Sequence, residues 1–190
     1  MVHPIGDPGI CRVFRLGHRL LKDVPHAFGG AIALAAHGIV RYTGDVDVFV
    51  PMEAKPKALA VLRGKMRIET VHAPDHYIAR ARAGDDIYMD VLFPAGDPEL
   101  AGVEQPVFVD LCGVRNAPVF SAEILALCKF YSERPQDFAD FARLVSEGIV
   151  LPETLLAVMR VTDPDAMDDL EQKVRLAVQP MRVRPRPRRR

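Results

Sequence analysis

Two aspartates stand two residues apart in the segment Asp45-Val46-Asp47-Val48-Phe49-Val50. The valines alternate with the other three residues, which is the period of a half-buried β-strand. Aspartate is depleted from strands, so two on one face of a short apolar strand need a reason. Side chains two apart in a strand point the same way, with Cα atoms roughly 6.5 Å apart. Both carboxylates can therefore lean onto one small divalent cation, Mg²⁺ being bound at about 2.0–2.1 Å. Without a cation, two unit charges 4 Å apart at an effective dielectric near 20 repel by roughly 4 kcal/mol. A metal site on a strand is the first expectation.

Upstream lies Gly29-Gly30, followed by the alanine-rich run Ala31-Ile32-Ala33-Leu34-Ala35-Ala36-His37. Glycine permits close backbone approach to a ligand, and a helix start offers free N–H groups to a phosphate. Alone, the pair is better read as a tight strand-to-helix turn.

These residues need a scaffold, and the hydrophobic pattern supplies one. An apolar stripe over 10–23 predicts an amphipathic helix ended by Pro25. The run after the glycines is strongly helical, with Gly38 as its C-terminal cap. A short loop, Arg41-Tyr42-Thr43-Gly44, then leads into the aspartate strand. Further helices are expected over 53–63, 121–134, 137–147, 152–159 and 165–178, and strands over 66–71, 77–82, 86–93 and 107–111. The turn Ala83-Gly84-Asp85 joins two of those strands as a hairpin. Ser121 with Glu123 marks a helix N-terminus. Strands and helices mix in the first two thirds, and helices alone fill the rest. The fold class is α/β (α+β), a mixed β-sheet flanked by helices and followed by a C-terminal helical segment. The expected divisions are a core over 1–115, helices over 116–178 and a disordered basic tail over 179–190.

Composition is that of a globular protein, 49 % hydrophobic and 26 % charged over 190 residues. No apolar run is long enough for a membrane helix, and the start carries no secretory pattern, so no membrane partner and a cytoplasmic location are expected. Cys11, Cys112 and Cys128 lack C-x-x-C spacing and read as reduced, mostly buried thiols. The zero net charge hides an asymmetry: 181–190 carries six arginines and no acid. Such a tail could hold an RNA backbone, or serve only as a solubilising end.

The string Phe28-Gly29-Gly30-Ala31-Ile32-Ala33 … His37-Gly38 … Arg41-Tyr42-Thr43-Gly44-Asp45-Val46-Asp47-Val48 resembles the signature of the polymerase-beta-like nucleotidyltransferase superfamily. Its Arg-x-Thr-x-Asp-x-Asp form is most similar to minimal nucleotidyltransferases that include the AbiEii-type toxins. The resemblance covers about residues 26–147. It implies a nucleotidyltransferase fold, Mg²⁺ as cofactor and a third carboxylate on a neighbouring strand. Asp90 takes that place in Ile87-Tyr88-Met89-Asp90-Val91-Leu92-Phe93, with Asp86 and Asp110 as fallbacks.

Glu123-Ile124-Leu125-Ala126-Leu127-Cys128-Lys129 and Arg134-Pro135-Gln136-Asp137-Phe138-Ala139-Asp140 are similar to two helical motifs of the same branch. By that resemblance Lys129 reaches nucleotide phosphates, and Asp137 and Asp140 assist the site. Asp137 is equally well placed to cap its helix, with Arg134 as a local partner of these acids. Gln136 departs from the pattern, where a lysine is common.

The implied assignment makes Asp45, Asp47 and Asp90 metal ligands and, with Lys129, catalytic groups. Asp90 is also a candidate base. Gly29, Gly30, Arg41, Thr43 and Asp137 face the nucleotide, with Thr43 the better fit to a loop cap. Tyr42 is expected to be packed, His37 to be packed or capping, and His72 and His76 to have no role. The partners are then a nucleoside triphosphate, an RNA acceptor and a cognate antitoxin. A non-catalytic nucleotide- or partner-binding module and an antibiotic nucleotidyltransferase remain as alternatives.

Overall fold

The computed structural model describes residues 7–72, 77–82, 87–94 and 96–179. The expected turns at 74–75 and 83–85, Asp86, His76 and the tail 181–190 lie outside them. Asp7 accepts the Gly9 amide at 2.6 Å and Pro8 presets the first turn, so helix α1 runs Pro8–Leu20. Its buried face holds Ile10, Val13 and Phe14. The expected stripe was correct, but cap and proline start the helix two residues earlier.

One mixed sheet of seven strands organises the molecule. They are β1 (Ala27–Phe28), β2 (Asp45–Phe49), β3 (Arg67–His72), β4 (Tyr77–Arg82), β5 (Tyr88–Phe93), β6 (Val107–Leu111) and β7 (Val114–Val119). Their spatial order is β3-β4-β5-β2-β1-β7-β6. The β2–β5 and β1–β7 pairs are parallel and the others antiparallel.

Strand β7 was not expected, because Asn116 and Pro118 argue against a strand. Its only partner position on β1 is the Phe28–Val119 pair. Most of β7 therefore pairs on one side alone, where proline is tolerated. The β6–β7 turn is Cys112-Gly113, with φ of 50° and 78°. Two left-handed residues in succession match the twist of a two-residue hairpin.

Helix α1 packs against β2 and β5 on one face of the sheet. There a Cβ on Gly17 would lie 2.6 Å from the Met89 sulfur, so glycine permits the close approach. Val46, Val48, Met89 and Val91 are fully buried. The helices α2 (Gly30–Ala36), α4 (Glu99–Glu104) and α5 (Ala122–Tyr131) follow, α2 and α4 contacting β2 and α5 contacting both of those helices. Ser121 caps α5 by accepting the Ile124 amide. Helix α3 (Lys55–Arg63) contacts α1 and β3.

The last third is helical: α6 (Pro135–Ser146), α7 (Pro152–Thr162) and α8 (Met167–Val178). Helix α6 packs on α5 and α8, and α7 on α5 and α8. No helix among the described residues is long and apolar enough to cross a membrane.

The cysteine expectation is corrected. Cys11 and Cys112 form a disulfide that ties α1 to the β6–β7 turn, and Cys128 is free. The pair is separated by 101 residues, so its proximity exists only in the fold. Of the three thiols expected to be reduced, only Cys128 remains one.

Candidate functional site

The parallel pairing of β2 with β5 sets Asp45 opposite Tyr88, Asp47 opposite Asp90 and Phe49 opposite Leu92. Met89 and Val91 turn to the α1 side, which leaves Asp90 beside the two aspartates of β2. One carboxylate oxygen from each of Asp45, Asp47 and Asp90 lies within 4.8 Å of the other two. These face a cavity of about 540 Å³ whose opposite wall carries Lys129, Arg134 and Asp137.

Each acid is held differently. Thr43 Oγ1 donates to Asp45 Oδ1 at 2.8 Å, so the loop threonine aims the first carboxylate. Asp47 sits under Gly30, which has φ +50° and whose missing Cβ would lie 1.9 Å from Asp47 Oδ2. Any side chain there would displace the carboxylate. Gly29 does not line the cavity; a Cβ on it would meet the Phe49 ring. Asp90 accepts a two-pronged bond from Arg80, Nε to Oδ1 at 2.7 Å and Nη2 to Oδ2 at 2.8 Å.

Burial, followed by the charges of Asp45 and Asp90, pushes the Asp47 carboxyl up to about 6; Lys129 and Arg134 act in the opposite sense. The bond to Asp90 holds the Arg80 guanidinium above its ordinary value.

The far wall is a network of ion pairs. Lys129 is buried and contacts Asp137 closely, with Asp140 at 3.6 Å. Asp137 also accepts from Ser132 Oγ at 2.6 Å and Arg134 Nε at 2.5 Å. Burial alone would raise the Asp137 carboxyl, but the bonds from Lys129 and Ser132 and the nearby positive charges hold it below its ordinary value. Arg41 Nε donates to Asp140 at 3.0 Å and Gln136 Nε2 at 3.2 Å. Four cations, Arg41, Arg80, Lys129 and Arg134, thus surround a cavity floored by carboxylates.

Two sequence expectations change. Asp137 does not cap α6; Arg134 occupies that position and Asp137 lies in the first turn. Tyr42 is 85 % exposed rather than packed. Gly38 closes α2 as expected: it stands just after His37 at the helix end and takes φ +92°. The His37 ring donates from Nε2 to the Phe120 carbonyl at 2.8 Å, a structural tie.

Arg80 was missed altogether. Its register with Asp90 depends on the hairpin between β4 and β5, and an arginine in an alternating strand gives no sign of facing an acid. Glu99 was missed because the short helix α4 was not foreseen.

Three hard carboxylate oxygens at this spacing match the donor chemistry of Mg²⁺, whose opposite ligands stand about 4.2 Å apart. In the described arrangement Arg80 is the cation that neutralises Asp90.

No protein-family model matches the chain, and no characterised protein matches it by sequence. Solved structures do match by fold. The antibiotic-resistance factor ANT(2'')-Ia in solution has a TM-score of 0.56 at 16 % identity, covering 86 % of this chain and 94 % of that one. A candidate nucleotidyltransferase of Thermotoga maritima gives 0.54 at 16 % identity over 74 % and 94 %. The lincosamide antibiotic adenylyltransferase LnuA, with lincomycin bound, gives 0.50 at 16 % identity over 74 % and 96 %. The chain has the fold these nucleotidyltransferases share.

Proposed function

We propose that the protein is an Mg²⁺-dependent nucleotidyltransferase that moves a nucleoside monophosphate from a nucleoside triphosphate to a hydroxyl acceptor. The observation that carries this is the convergence of Asp45, Asp47 and Asp90 on one cavity whose opposite wall carries Lys129 and Arg134. Phosphoryl-type transfer asks a protein mainly for positioning and charge neutralisation, and the two walls supply those separately.

Asp45, Asp47 and Asp90 would hold the metal, which neutralises triphosphate charge and lowers the pKa of the attacking hydroxyl. Thr43 aims Asp45, and Gly30 leaves room for Asp47 and brings backbone to the cavity. Lys129, Arg41 and Arg134 are the groups available to the phosphates and departing pyrophosphate. Lys129 is pinned by Asp137 and Asp140, which fixes its ammonium on the cavity wall.

The acceptor is a second question. The sequence resemblance pointed to a toxin acting on RNA, with an antitoxin partner. The neighbouring folds favour a small molecule: one adenylyltransferase was solved with lincomycin, and ANT(2'')-Ia was solved also with adenylyl-2''-tobramycin. A non-catalytic nucleotide-binding module is favoured by one observation, that Arg80 occupies both oxygens of Asp90.

The test is incubation with labelled triphosphates, Mg²⁺ and a panel of RNA, tobramycin and lincomycin acceptors. Label should pass to one of them and stop when Asp45→Ala and Asp47→Ala are combined. Mg²⁺-dependent nucleotide binding without transfer to any acceptor would establish the binding module instead.

A further inference from the structure

A second cavity, of about 560 Å³, lies between α4, α5 and α7. Glu99 and Tyr131 line both this cavity and the one above the aspartates, so the two spaces share a border. Their charge differs in one respect, the presence of cations. The first cavity mixes four cations with carboxylates that they pair, whereas the described lining of the second has three carboxylates, Asp97, Glu99 and Asp163, and no basic residue. Its floor is apolar, built from Ala101, Ile124, Leu127 and Val158.

Tyr131 forms the threshold. Its hydroxyl donates to Asp163 Oδ2 at 2.9 Å and lies 3.3 Å from the Met159 sulfur, while its ring remains half exposed. Burial and the bond to Asp163 push the phenol up to about 12, so it stays neutral and presents an aromatic face beside the acids. An aromatic face bordered by carboxylates attracts a cation by both its ring quadrupole and the negative charges.

We propose that this cavity is the acceptor subsite and that its occupant is a small hydroxylated molecule with an apolar face and at least one protonated amine. The inference rests on the nucleotidyl-transfer reading and narrows it. A nucleic-acid acceptor would bring phosphates against Asp97, Glu99 and Asp163, which repels rather than binds. The border at Glu99 and Tyr131 lets a hydroxyl of the bound molecule enter the triphosphate cavity. There its oxygen forms a bond to the α-phosphorus while the bond from that phosphorus to the bridging oxygen breaks. The electron pair leaves with pyrophosphate, and the hydroxyl proton passes to a carboxylate of the triad and on to water.

The test uses the full chain with ATP and Mg²⁺, and four probes: tobramycin, per-N-acetyltobramycin, lincomycin and a single-stranded RNA. Mass spectrometry reads the adduct, and calorimetry reads binding of each probe and of a non-hydrolysable ATP analogue. At least one amine-bearing probe should bind and gain a nucleoside monophosphate, and the neutral acetylated probe should not. Asp97→Asn combined with Asp163→Asn should raise the acceptor KM at least tenfold and leave the affinity for the ATP analogue unchanged.

Equal modification of the acetylated probe, modification of RNA alone, or no millimolar binding of either amine would overturn the subsite. So would an unchanged KM in the folded double variant. Absence of binding of the ATP analogue by the wild-type chain would instead sink the reading it rests on.

Discussion

Asp47 and Asp90 are direct register partners on the adjacent parallel strands β2 and β5, and their carboxylates share one side of the sheet. With Arg80 facing Asp90 from β4, three neighbouring strands place an acid, an acid and a guanidinium in one row. The row concentrates negative charge where burial already disfavours it, and that conflict governs the first two expectations.

Asp47 is the acid most disfavoured by its surroundings, its carboxyl pushed up from 3.8 to about 6. The folded state therefore binds a proton that the unfolded chain has released, so this group stabilises the metal-free protein at low pH. That contribution is complete below about 4 and is lost as pH rises through about 6. Asp47→Asn should flatten this part of the pH profile and raise metal-free stability at pH 7 by up to about 3 kcal/mol, while removing activity. Denaturation midpoints between pH 4.5 and 7.5 check it; a wild-type curve parallel to that of the variant refutes it.

Mg²⁺ should reverse the same balance. Protons and the cation compete for Asp47, so added Mg²⁺ should raise the melting temperature above pH 6 and have little effect below pH 5. Thermal melts with and without millimolar MgCl₂ at the two pH values measure this. Arg80→Gln should tighten Mg²⁺ binding by removing the guanidinium that neutralises Asp90.

Gly30→Ala removes no charge, yet it should abolish activity. The left-handed φ costs about 1 kcal/mol for alanine, and the new Cβ collides with Asp47 Oδ2. Activity should fall at least a hundredfold while the protein stays folded, with stability reduced by about 1–3 kcal/mol. Wild-type turnover in the variant would show that the carboxylate can sit elsewhere.

Lys129→Met should be severely destabilising, because Asp137 and Asp140 would be left buried without their shared cation. The expected loss is about 3–5 kcal/mol, and adding Asp137→Asn should recover part of it. Urea titrations of the single and double variants give the coupling directly. An unperturbed single variant would mean that the arginines alone compensate the acids.

Reduction of the Cys11–Cys112 disulfide opens a loop of about a hundred residues and should cost about 2–4 kcal/mol. A reductant should lower the melting temperature of the wild type but not that of Cys11→Ala combined with Cys112→Ala.

Much of this protein was readable in one dimension because its signals are local. Alternation placed Asp45 and Asp47 on one side of a strand, and the same period set Asp90 opposite Met89 and Val91 on its own strand. The apolar stripe of α1, the alanine-rich α2 and the four C-terminal helices each follow from spacing within a few residues.

What required the tertiary structure was every relationship set by register or by crossover. The partnership of Asp90 with Arg80 depends on how β4 pairs with β5, and that of Cys11 with Cys112 on where α1 crosses the sheet. The exposure of Tyr42, the strand around Pro118 and the border between the two cavities at Glu99 and Tyr131 are of the same kind. Periodicity tells which side of its own element a residue occupies, but only packing decides what stands opposite it.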